Sequence, residues 1–171
     1  FMILAGMNFS LHFLAYNTNI GSYLKNEEAK VYLLLCLIGA VIFCYFLATV
    51  DFNAESSLLD RFRTGAFQCV SLLTGTGFSS ANYDVWRSYH KIIPGIMLFI
   101  MFTGACSGST CGGLKIMRLI MLLKNMVLDL KTLTYPRSAI QVTIDHKIVS
   151  KEVMRAIVTY TVLYVGVAAI S

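Results

Sequence analysis

The stretch Ser56-Ser57-Leu58-Leu59-Asp60-Arg61-Phe62-Arg63-Thr64-Gly65-Ala66-Phe67-Gln68-Cys69-Val70-Ser71-Leu72-Leu73-Thr74-Gly75-Thr76-Gly77-Phe78-Ser79-Ser80 reads as a capped amphipathic helix running into a turn of small residues. Ser56 or Ser57 can cap it, and Asp60 sits in the first turn, where a carboxylate complements the positive helix end. Leu58, Leu59, Phe62, Ala66, Phe67, Val70 and Leu73 supply apolar faces. About eighteen residues make roughly 27 Å of helix. Asp60, Arg61 and Arg63 make its start too polar for a full membrane crossing. The pattern predicts a half-span that dips in and returns, with non-helical backbone at membrane depth, which is tolerated only where protein or a wet cavity surrounds it.

Working outward, the composition names the solvent. Of 171 residues, 57% are hydrophobic and only 13% charged, with a mean hydropathy of +0.69 and a net charge of +5. A soluble domain carries about 25% charged residues, so this chain suits a bilayer. Two prolines and twelve glycines argue against disorder or a collagen repeat. A spanning helix needs about 20 apolar residues, and Val31 to Val50 is the clearest example, opening after Lys25, Glu27, Glu28 and Lys30 and closing at Asp51. Residues 1–14 read as the tail of an earlier span, and Ala156 to Ile170 as the start of a later one that is cut short. The chain reads as a piece of a longer protein, and residues 1–11 lack the basic region of a signal peptide.

Charge sets the expected topology. Residues 115–155 hold eight bases (Lys115, Arg118, Lys124, Lys131, Arg137, Lys147, Lys151, Arg155) against three acids, whereas residues 51–63 hold two bases against three acids. Basic loops stay in the cytoplasm. Residues 25–30 are then cytoplasmic too, the Val31 span runs outward, the one from Ile92 returns, and the segment Asp51 to Lys91 enters from outside.

Small residues at Thr74 to Gly77 let the backbone turn its carbonyl oxygens toward one axis, at the negative end of the preceding helix. Such oxygens replace the hydration shell of a monovalent cation. On its four letters the turn could equally be a surface turn after a short helix. Its place between two spans, before the polar rise through Asn82, Tyr83, Asp84 and Trp86, favours the ion-binding reading. Ile92 to Val127 would make about 54 Å as one straight helix, more than a membrane needs, and the small-residue tract Gly104 to Gly113 marks a break. Glycine and serine weaken a helix by up to about 1 kcal/mol each, so an intramembrane loop is expected there. The alternative is a packing seam on the Gly104-xxx-Gly108-xxx-Gly112 period. A nucleotide-binding loop is excluded, because Leu114 follows Gly113 where a lysine is required.

The order span, pore helix, filter, span is the potassium-channel unit. The region resembles the third repeat of the Trk/Ktr/HKT superfamily of potassium transporters, most closely the bacterial Trk-type potassium-uptake membrane subunits. The resemblance rests on Thr74-Gly75-Thr76-Gly77-Phe78-Ser79 with Asp84 and Trp86, and more specifically on Gly104-Ala105-Cys106-Ser107-Gly108-Ser109-Thr110-Cys111-Gly112-Gly113-Leu114-Lys115 with Arg118. It covers essentially the whole chain: residues 1–24 as the end of one repeat, 25–127 as a complete span, pore helix and span unit, 128–155 as a cytoplasmic connector, and 156–171 as the start of the next repeat. The family motif commonly reads Thr-Thr-Thr-Gly-Phe, so Gly75 departs from it.

The resemblance implies an all-α, multi-pass protein of the bacterial plasma (inner) membrane that takes up potassium. It implies a filter at Thr74, Gly75, Thr76, Gly77 and Phe78 that binds potassium through backbone carbonyls, and a gate at Gly104, Cys106, Ser107, Gly108, Ser109, Thr110, Gly112 and Gly113. Lys115 and Arg118 are charges near that gate, and Asp84 anchors the outer filter mouth. Lys115 is either an electrostatic barrier or partner for loop carbonyls, or a side chain that reaches the cytoplasmic headgroups. The family implies a homodimer bound to a cytosolic nucleotide-binding regulatory ring, with no cofactor and no nucleic acid, and leaves sodium or proton coupling open. The five cysteines (Cys36, Cys44, Cys69, Cys106, Cys111) lie in apolar runs and read as buried thiols, and His12, His90 and His146 are scattered without metal or catalytic geometry. A membrane-embedded enzyme or scaffold using Cys106 or Ser109 is the rival, and it needs a base that the inferred topology does not bring near.

Overall fold

The computed structural model of the chain describes residues 1–19, 21–49, 57–80, 82–83, 91–134, 143–144 and 147–170. Helices α1 (Met2–Ala5), α2 (Phe9–Asn17) and α3 (Ser22–Lys25) lead into the long α4 (Glu27–Thr49). Then follow α5 (Leu58–Leu73), α6 (Ile93–Thr103), α7 (Ile116–Thr134), a minimal hairpin of β1 (Thr143–Ile144) and β2 (Lys147–Ile148), and α8 (Lys151–Ile170). The expected helical membrane architecture is what forms. The hairpin pairs Thr143 with Ile148 and Ile144 with Lys147; strands of two residues carry no alternation that a sequence reading can detect.

Helix α4 has 23 residues, which at 1.5 Å each make about 34 Å, enough for a hydrocarbon core of about 30 Å. It begins four residues before Val31, taking Glu27 and Glu28 into its first turn, where their charge suits the helix dipole. Helix α8 also has 20 residues and is apolar enough to cross a membrane. It begins five residues before the expected Ala156, taking in the charged Lys151, Glu152 and Arg155. Residues 1–14 are helical in two pieces: the chain breaks at Gly6-Met7-Asn8 and restarts where Asn8 accepts a bond from the Ser10 amide.

Helix α5 lies along α4. At Gly65 a Cβ would come 2.9 Å from the Cys44 nitrogen and 3.2 Å from the Ala40 carbonyl oxygen, so glycine there brings the two backbones together. Ser57 holds the N-cap position with extended backbone, but its side chain makes no capping bond. The main core joins Met7, Tyr32, Cys36, Val70 and Leu73 to Ala105, Cys106, Cys111, Ile116 and Ile120. It thus sits where the end of α5 meets the segment between α6 and α7. Four of the five cysteines are buried as expected, and Cys44 is half-buried. Leu34, Leu37, Ile38 and Val41 of α4 and Val162, Leu163 and Val167 of α8 are exposed, an apolar surface suited to lipid or to apolar neighbours.

Candidate functional site

Helix α5 ends in a Schellman turn. The Gly75 amide bonds to the Leu72 carbonyl at 3.2 Å and the Thr76 amide to the Ser71 carbonyl at 3.0 Å, the paired closure that needs a left-handed residue after the cap. Gly75 is that residue, with φ +64°. Glycine, which departs here from the family motif, holds that conformation without strain. The Thr74 and Gly77 amides also bond backward, to Val70 at 2.9 Å and Ser71 at 3.5 Å. All four donors of the turn are therefore spent on α5. The carbonyl oxygens of Thr74, Gly75, Thr76 and Gly77 accept no hydrogen bond among the described residues.

Three buried polar side chains of α5 hold the returning strand. Thr74 Oγ1 donates to the Val70 carbonyl at 2.7 Å and lies 2.7 Å from Thr76 Oγ1. Its single proton is already used, so Thr76 is the donor to Thr74. Ser71 Oγ donates to the Phe78 carbonyl at 2.6 Å. Gln68 accepts from the Tyr83 hydroxyl at 2.5 Å, and its amide reaches Ser80 Oγ at 3.5 Å. Phe78 thus differs from the other four expected filter residues, since its carbonyl is engaged. Gln68 and Ser71 were not singled out by the sequence reading, although their spacing with Thr74 is a polar stripe at helical period in the apolar second half of the helix.

The tract from Gly104 to Lys115 is non-helical between α6 and α7, as the excess length predicted, and the packing-seam alternative falls with it. Its neck is closed by Leu114 N–H to Phe102 O at 2.9 Å and Ile116 N–H to Ala105 O at 3.0 Å. Gly104 has φ +70°, and a Cβ on it would land on the Gly112 carbonyl oxygen. The loop docks on the break between α1 and α2, with Cys106 N–H donating to Gly6 O at 3.0 Å and Phe9 N–H to Gly108 O at 3.3 Å. Lys115, itself left-handed at φ +62°, turns its ammonium back into the loop, donating to Cys111 O at 2.7 Å and Ser109 O at 3.3 Å. Of the two sequence readings, the carbonyl-partner one describes its position. Arg118 is placed differently: its guanidinium stacks on the Tyr160 ring of α8, 4.0 Å from the centroid. Asp84 and His90 lie outside the described residues.

A cavity of about 710 Å³ is lined by Thr74, Gly75 and Thr76 on one side and Thr110 on another, with Met2, Phe9 and His12 completing the wall. The two segments singled out in the sequence therefore face one space. The rival nucleophiles do not fit catalysis: Cys106 is buried, and the Ser109 hydroxyl donates to the Cys106 carbonyl at 2.6 Å.

Residues 1–170 match the family model for TrkH, a cation transport protein. The chain belongs to the TrkH family. This TrkH-family chain is 30% identical over 166 residues to the Trk system potassium uptake protein TrkH of Halomonas elongata, covering 96% of the chain and 33% of that relative. It is 31% identical over 165 residues to the Trk system potassium uptake protein TrkG of Escherichia coli, again 96% of the chain and 33% of the relative. Its fold matches the crystal structure of the potassium transporter TrkH from Vibrio parahaemolyticus with a TM-score of 0.87 and 26% identity, over 99% of this chain and 36% of that one. The chain thus spans about a third of the length of the relatives it matches. Membership in this family and two span-length apolar helices among the described residues agree on a membrane protein.

Proposed function

We propose that this chain contributes one repeat of a potassium-uptake pathway, in which backbone carbonyls of Thr74, Gly75, Thr76 and Gly77 replace the hydration shell of the ion. One observation carries the reading: the turn has spent every backbone donor on α5, its four carbonyls accept no hydrogen bond among the described residues, and Thr74, Gly75 and Thr76 line a cavity. Oxygens so arranged suit a desolvated cation and nothing anionic. Phe78 shapes the turn, with its carbonyl held by Ser71. The loop 104–115, across the same cavity, is the gate, and Lys115 stiffens it from within. Residues 25–127 form the complete repeat, 1–24 the end of the preceding one and 128–155 a connector, with the following repeat begun by α8.

A ring of four such turns is needed to enclose an ion, so the other three belong to the rest of the full-length transporter. On the same reading, that transporter sits in the bacterial inner membrane, pairs as a homodimer and takes regulation from a cytosolic nucleotide-binding ring that meets the basic stretch 115–155. Asp84 serves the outer mouth. The reading is tested by Gly77→Ser in the full-length transporter, followed by rubidium and sodium uptake. A fall in the rubidium-to-sodium ratio is expected, and an unchanged ratio refutes the filter assignment.

A further inference from the structure

Glu28 is 1% exposed, although the sequence places it among Lys25, Glu27 and Lys30, a group that reads as ordinary headgroup-facing charge. Its Oε1 accepts the Ser107 amide at 2.5 Å across 79 residues of chain. One side chain of α4 therefore grips the loop 104–115. The loop is polarised as a result. Donors on one limb face a buried anion, while carbonyls on the other face the Lys115 ammonium. A carboxylate bonded to a backbone amide is strongly held there, and its removal leaves a part-buried N–H without a partner.

We propose that Glu28 is the positioning residue that holds the loop closed, a latch between the first span of the repeat and the gate; this rests on the gate reading of residues 104–115. The latch acts on how often the loop opens and leaves the filter untouched. Losing a charge-assisted bond of this kind shifts a two-state balance by about tenfold or more.

The test uses rubidium and sodium uptake by the full-length transporter in proteoliposomes. Glu28→Ala is expected to raise unstimulated rubidium uptake by about tenfold with the rubidium-to-sodium ratio unchanged, and Glu28→Gln, which keeps an acceptor for Ser107, to lie between it and wild type. Unchanged uptake in Glu28→Ala, or a rise with a collapsed ratio, overturns the latch. Deleting residues 108–113 separates the two ideas: if the deletion raises uptake and Glu28→Ala does not, the latch fails and the gate stands, whereas if the deletion changes nothing the gate reading itself fails. Should Glu28→Ala not assemble, thiol labelling decides on Glu28→Gln. Cys106 and Cys111, 1% and 7% exposed, should label faster than in wild type, and equal labelling refutes the proposal.

Discussion

The buried hydroxyl of Ser71 donates to the carbonyl of Phe78 at 2.6 Å, fastening the strand after the turn to the helix before it. Ser71→Ala removes the donor and frees that carbonyl to swing toward the ion path. The expected outcome is a protein that still assembles but discriminates less between rubidium and sodium, with a local cost of about 1–3 kcal/mol. Competitive uptake and thermal unfolding in detergent measure the two effects.

Two glycines separate strain from crowding. Both are left-handed, but a Cβ at Gly75 meets open space, whereas one at Gly104 meets the backbone at Gly112 and Gly113. Gly75→Ala should cost about 1–2 kcal/mol, the penalty of the left-handed conformation. Gly104→Ala should cost more, because the neck of the loop must open. Equal losses in a thermal unfolding assay would contradict this geometry.

Lys115→Met keeps the stem of the side chain and removes the ammonium from the carbonyls of Cys111 and Ser109. With charged hydrogen bonds worth about 1.5–3 kcal/mol each at most, the loop should loosen and unstimulated uptake should rise. Lys115→Arg, which retains a donor, should rise less. Uptake measured at fixed protein density checks the order.

The ion pair between Lys124 of α7 and Glu27 of α4 is the contrasting case, with both side chains about 40% exposed. Exposed pairs are worth about 0–1 kcal/mol. Lys124→Ala should leave the unfolding temperature nearly unchanged, although it also removes the bond to the Thr143 carbonyl at 2.9 Å. A large drop would show that the hairpin depends on this lysine.

Gln68→Leu should behave unlike Lys124→Ala. Gln68 is fully buried and accepts from Tyr83, so the substitution removes a hydrogen bond of a partly buried hydroxyl at about 1–3 kcal/mol. Tyr83→Phe removes the other partner, and the double variant should cost less than the sum of the singles.

Length, period and charge were enough to define the architecture. A 20-residue apolar run can only be a span where charge is scarce, the polar start of α5 forbids a crossing, and a 36-residue stretch with glycines at its centre is too long to stay straight. These are local properties of length, period and backbone freedom, and α4, α5 and the 104–115 loop formed where they required. Only the tertiary structure decided which polar groups face one another. Glu28 looks like any interfacial acid until α4 is placed beside Ser107. Lys115 had two opposite readings until its ammonium was seen among loop carbonyls, and Arg118 proved to belong to Tyr160. Such partners lie tens of residues apart, and nothing in local spacing encodes a bond that exists only once helices have packed.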